Sequence, residues 1–161
     1  HYNVVQNGLL EMWDTSSLNG LYTLQLTVVR HDESHEQASI QVTVDNTPPT
    51  VEITYPLTDA LYIMEKDEWV NIQPEASDDF SISRVEFYID DELLTYDTVS
   101  PYNQKWTITM SSQVTETHMI HVVAVDGAGN QTESEKVKIN VIPKEKEPPK
   151  SEAYRREERL L

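Results

Sequence analysis

Leu18-Asn-Gly-Leu-Tyr-Thr-Leu-Gln-Leu-Thr-Val-Val29, followed by Ile40-Gln-Val-Thr-Val-Asp-Asn46, is the stretch that decides the fold. Leu24, Leu26 and Val28 alternate with Thr23, Gln25 and Thr27, and Ile40, Val42 and Val44 alternate with Ser39, Gln41 and Thr43. A period of two puts each apolar set on one side of a pleated strand, facing a core. The scheme recurs. Trp13 stands ahead of this copy as Trp106 stands ahead of His118-Met-Ile-His-Val-Val-Ala-Val-Asp126 and Val137-Lys-Ile-Asn-Val141. Each copy is a tryptophan, a spacer, a long alternating strand, a polar turn and a shorter alternating strand. Such self-similarity marks consecutive β-modules. The second copy has a full set of strands upstream and the first has not, so the chain is expected to begin inside a domain.

Working outward, Asp45-Asn46-Thr47-Pro48-Pro49-Thr50 reads as a boundary. Its two prolines cannot donate to a ladder and stiffen the chain. Further strand candidates follow at Leu61–Met64, Trp69–Ala76, Arg84–Ile89, Glu92–Tyr96, Tyr102–Thr109, Thr117–Asp126 and Glu135–Val141, with Asp90-Asp91 as a hairpin turn. Short strands at this spacing predict an all-β, immunoglobulin-like antiparallel sandwich. Residues 1–46 are expected to be the C-terminal strands of a first module, three of them. Residues 47–50 are the linker, and 51–142 a complete module. Residues 143–161 open on a charged, Pro-rich linker, after which 151–161 have the makings of a short helix capped by Ser151.

The chain has 161 residues and a formal charge of −16. Residues 144–161 carry six Lys/Arg and five Asp/Glu, so the rest carries about −17. This balance argues against nucleic acid and anionic lipid as partners, since both demand a basic surplus. There is no cysteine, which excludes disulfides and thiolate chemistry. No apolar run approaches the length of about 18 residues that a spanning helix needs.

The second copy also carries phrases of a known family. Val85-Glu-Phe-Tyr-Ile-Asp-Asp91, Pro101-Tyr-Asn-Gln-Lys-Trp106 and Ala124-Val-Asp-Gly-Ala-Gly-Asn130 resemble bacterial immunoglobulin-like repeats, relatives in shape of fibronectin type III modules. The likeness covers about residues 48–142, with a half-module at 8–46. Two departures stand out. Asp91 occupies the usual hairpin glycine position, and Arg30-His-Asp-Glu-Ser34 replaces the glycine-bearing turn in the first copy. A narrower similarity links Leu18–Val29 and Val44–Thr50 to modules that follow the transpeptidase domain of some class A penicillin-binding proteins. It implies an accessory region of a cell-wall-synthesising enzyme outside the membrane.

Candidate sites are few. Asp45, Asn46, Asp78, Asp79, Asp126 and Asn130 sit at expected loops, and carboxylates with carbonyls are what calcium takes as ligands. The same residues also serve as ordinary turn formers. His31 and His35 bracket Asp32 and Glu33, but in a hairpin loop this spacing does not bring them onto one face. Trp13 and Trp106 are either sugar-stacking platforms or structural tryptophans, the second being the expectation. Tyr22 is placed for a tyrosine corner, with His118 in the matching position. Asn130-Gln-Thr132 is a formal glycosylation sequon. No Ser-x-x-Lys, Gly-x-Ser-x-Gly, His-Glu-x-x-His or P-loop motif is present.

The sequence therefore points to a non-catalytic extracellular or cell-envelope region, a spacer or interaction module of a larger protein. No cofactor is expected beyond calcium. Expected partners are the parent's other domains, cell-wall glycan or protein, and a second copy meeting the incomplete first module. Two rival readings are a glycan-binding appendage of a polysaccharide hydrolase and a calcium-rigidified adhesin repeat.

Overall fold

The alternating segments become strands in the computed structural model, which describes residues 8–109 and 114–144. Two strands form the first unit, β1 (Gly20–Val29) and β2 (His35–Val44), paired antiparallel from Gly20↔Val44 to Val29↔His35. The chain then runs through β3 (Thr50–Tyr55), β4 (Ala60–Ile63), β5 (Trp69–Ser77), β6 (Ile82–Ile89), β7 (Glu92–Asp97), β8 (Gln104–Thr107), β9 (Glu116–Asp126), β10 (Gln131–Glu133) and β11 (Val137–Ile142). One sheet has the order β3-β5-β8. The other has the order β4-β11-β9-β6-β7, with β10 added beside β9. All pairings are antiparallel except β4 with β11: after β3 the chain crosses to the other sheet, where β4 lies parallel to the last strand. Two sheets face to face with this order are an immunoglobulin-like sandwich.

The core follows the alternation. Val85, Phe87, Ile120, Val122 and Ala124 are fully enclosed, and Ile89 is 9% exposed. Glu86 and Tyr88 point to the opposite side, where Tyr88 Oη donates to Glu86 Oε2 at 2.8 Å. Val70 and Ile72 from β5 close the core from the other sheet. Each enclosed aliphatic or aromatic side chain stabilises the fold by roughly 1.5–3 kcal/mol. Pro74 lies in β5 beyond the Trp69–Ile72 stretch that pairs with β8. There one side of β5 is open, and a residue without an N–H is tolerated.

Asp90 and Asp91 form the two-residue β6–β7 turn with φ of 52° and 66°. Both angles are left-handed, as the primed hairpin turns require. Asp90 is also held through its side chain: Oδ1 accepts from Met119 N at 2.8 Å, and Oδ2 lies 2.7 Å from His118 Nδ1.

Three expectations are corrected. The third strand ahead of β1 does not form among the described residues. The segment from Gly8 to Asn19 is irregular, and Asp14 Oδ1 accepts from Ser16 N in a local turn. The Tyr102–Thr109 strand shrinks to Gln104–Thr107, because Asp97 takes the Val99 and Asn103 amides into a turn before it. The Glu135–Val141 strand forms as β11, shifted to Val137–Ile142, and β10 is an additional strand just ahead of Ser134. There Ser134 N donates to Val122 O at 2.9 Å and Ser134 Oγ accepts from Val122 N at 3.1 Å. A side-chain oxygen thus replaces a ladder carbonyl at a bulge. The linker and helix expected beyond Lys144 lie outside the described residues.

Candidate functional site

The β9–β10 turn is Asp126-Gly-Ala-Gly-Asn130. Asp126 is 2% exposed, and its Oδ1 accepts from the backbone amides of Ala128, Gly129 and Asn130 at 2.8, 2.7 and 2.9 Å. Gly129 has φ of 97°, which an L side chain rarely adopts. Burial raises the Asp126 pKa, but the bonds from Asn130, Gly129 and Ala128 outweigh it and hold the carboxyl below its ordinary 3.8. The group therefore stays ionised inside the turn.

Asn130 reaches out of the turn. Its Nδ2 donates to Asp126 Oδ2 at 2.7 Å and to the Asp45 carbonyl at 3.1 Å, with the Thr47 carbonyl at 3.5 Å. The turn thereby grips the linker between β2 and β3. From the other sheet comes Asp78, at the end of β5. Its Oδ2 accepts from Phe80 N and Ser81 N at 2.8 and 3.0 Å, while its Oδ1 is buried without a hydrogen-bond partner. Carboxylate oxygens of Asp45, Asp78 and Asp126 converge within 4.8 Å of one another. Among the described residues no lysine or arginine is in ion-pair contact with any of the three.

Four of the six sequence candidates thus meet at one point. Two do not. Asp79 is exposed and outside the cluster. Asn46 spends its amide on the Thr15 and Leu18 carbonyls, both at 2.7 Å, and its backbone N donates to Asn19 Oδ1 at 2.6 Å. It ties down the entry to β1 instead. His31 and His35 are exposed at the tip of the first hairpin. That tip closes without glycine, through Glu33 at φ of 67° and the Asp32 carboxylate accepting from Ser34.

The aromatic candidates divide. Tyr22 Oη donates to the Asn19 carbonyl at 3.3 Å, as a tyrosine corner does, and Trp13 meets its ring edge-on at 5.2 Å. Trp106 is half-buried against the core and edge-on to His118. Trp69 is 44% exposed, with the Lys105 ammonium 4.2 Å from its ring centre. The lysine occupies a ring face that a sugar would need. One polar cluster escaped the sequence reading: buried His121 stacks on Tyr88 at 4.7 Å, with Asp91 and Glu133 3.7 and 3.6 Å from its nitrogens. The pairing of β9 with β6 on one side and β10 on the other brings these residues together.

The sandwich with its acidic N-terminal junction belongs to the class of immunoglobulin-like and fibronectin type III-like modules. Residues 49–122 match the family described as Bacterial Ig domain. Among solved structures, a fibronectin(III)-like module of CbhA from Clostridium thermocellum is 28% identical, with a TM-score of 0.50 over 58% of this chain and 96% of that one. Dimeric latent PorU from Porphyromonas gingivalis is 19% identical, with a TM-score of 0.41 over 79% of this chain and 13% of that one. SGBP-B of Bacteroides ovatus, solved in complex with a mixed-linkage heptasaccharide, is 17% identical, with a TM-score of 0.43 over 65% and 27%. No curated protein matches the chain. The family and the fold are those of non-catalytic accessory modules.

Proposed function

We propose that the chain is an accessory segment of a larger protein working outside the cytoplasmic membrane, and that its complete module is a spacer held at a set angle by its N-terminal junction. The observation that carries this reading is the convergence of Asp45, Asp78 and Asp126, with Asn130 bonded to the Asp45 carbonyl. One carboxylate comes from the incoming linker and two from the module, so any ligand joining them stiffens the join.

Calcium is the ligand that the donor set fits. It binds six to eight oxygens at about 2.3–2.6 Å, so ligands on opposite sides lie roughly 5 Å apart. The three carboxylates meet that limit, and the buried, unpartnered Asp78 Oδ1 is an oxygen still lacking a positive partner. Asp45, Asp78 and Asp126 would hold the ion, and Asn130 would position Asp126 and the linker. The similarity of Leu18–Val29 and Val44–Thr50 to modules after a transpeptidase domain makes a penicillin-binding protein the first parent to test.

Calorimetric titration with calcium at physiological salt tests the junction. Saturable heat, a higher melting temperature than in chelator, and loss of both in Asp78→Asn are expected. No heat and an unchanged melting temperature would leave the join to its hydrogen bonds alone. Reading the full open reading frame for an upstream Ser-x-x-Lys motif tests the parentage separately.

A further inference from the structure

The β1–β2 hairpin carries an apolar face that no other described strand covers. Tyr22, Leu24, Leu26 and Val28 lie on one side of β1, opposite Val42, Ile40, Ala38 and Glu36 of β2. Leu24, Leu26, Val28 and Ile40 are 39, 48, 50 and 62% exposed. The other side is Thr23, Gln25 and Thr27 against Gln41, Ser39 and Gln37, with Leu21 and Val29 apolar at its two ends. Apolar rows of this kind in water mark an interface.

The complete module shows what belongs there. Tyr22 faces Val42 and Leu24 faces Ile40, as His118 faces Ile139 and Ile120 faces Val137. The anchors agree too. Trp13 lies edge-on to Tyr22 at 5.2 Å and 71°, and Trp106 edge-on to His118 at 4.8 Å and 69°. Leu24, Leu26 and Val28 then correspond to Ile120, Val122 and Ala124, which are fully buried beneath the β3-β5-β8 sheet. The edges complete the comparison: β9 is also paired with β6 and β11 with β4, while among the described residues β1 and β2 pair only with each other.

We infer that this face receives a sheet equivalent to β3-β5-β8, supplied by strands preceding β1 in the same polypeptide. A second copy of the hairpin would cover the apolar face but leave both outer edges open. Preceding strands cover the face and the edges together. The counterpart stretch Thr50–Thr107 contains β3, β5 and β8, so about 60 residues suffice.

The test compares the 161-residue chain with the natural polypeptide extended upstream by roughly 60 residues, a sandwich's worth of strands. Hydrogen exchange is followed over Gly20–Val44. In the extended chain it is expected to slow by about 100-fold or more, in a species monomeric by light scattering. Leu26→Lys is expected to abolish that protection without changing exchange in β9 and β11. In the 161-residue chain the same amides are expected to exchange fast, and the dye ANS to bind until Leu26→Lys and Ile40→Thr remove the patch. Equal exchange in the two chains would overturn the inference. Protection that falls with dilution in both would overturn it as well, in favour of a second copy.

Discussion

Asn130 and Asp45, 85 positions apart, are joined by a 3.1 Å hydrogen bond from Asn130 Nδ2 to the Asp45 carbonyl. The same amide group donates to Asp126 Oδ2 at 2.7 Å. One side chain therefore couples the β9–β10 turn to the linker entering the module. Asn130→Ala is expected to lower stability by about 1–3 kcal/mol, because a carbonyl and a buried carboxylate oxygen lose a donor. Urea unfolding measures this. A shift below the fitting error would show that water replaces the amide without loss.

Asp126 gives the stability a pH dependence. Its folded pKa lies below 3.8. A depressed carboxyl contributes stability that is complete above the unfolded value of about 3.9 and is lost as pH falls through the folded value. The urea midpoint should therefore drop on going from neutral pH to below pH 4. Asp126→Asn should drop less over the same range, while being less stable at pH 7 by on the order of 2 kcal/mol, since three amides lose a charged acceptor. Parallel losses in the two proteins would assign the acid sensitivity to other carboxylates.

Asp91 stands at φ of 66° in the β6–β7 turn. Glycine adopts this angle without the side-chain penalty. The residue is 70% exposed at its side chain and pairs with Lys136, a contact of little worth in water. Asp91→Gly is expected to raise stability by roughly 0.5 kcal/mol, with relief of the backbone exceeding the lost ion pair. A lower melting temperature would show that Lys136 and His121 depend on this carboxylate.

Phe87 is fully enclosed between the two sheets. Phe87→Ala is expected to cost about 3–5 kcal/mol, the lost transfer energy plus the cavity. Tyr88→Ala, one position on, leaves the inner face intact and should cost less than half as much. Chemical denaturation of both variants checks the ranking, and the reverse order would mean that the register of β6 is misread.

Much of this was legible in the residues. Alternation over Arg84–Ile89, carried on to its partner Thr117–Asp126, names the inner face, since a period of two leaves one face to bury and a slip by one would invert it. The Asp90-Asp91 turn and the Asp126–Asn130 loop are likewise local matters, decided by which residues tolerate left-handed angles or satisfy nearby amides. The six polar candidates were also found by their loop positions. Their sorting was not. Asp45, Asp78 and Asp126 lie far apart along the chain, and they meet because β3, β5 and β9 place their ends at one pole of the sandwich. Asn46, adjacent to Asp45, turns the other way because the Thr15 and Leu18 carbonyls both accept from its side-chain amide. The sequence by itself determined the strands, the inner and outer faces and the turns, because those depend on neighbours one to four residues away. Only the tertiary structure decided which carboxylates share a site and where His121 finds its partners, because these depend on which strands lie side by side.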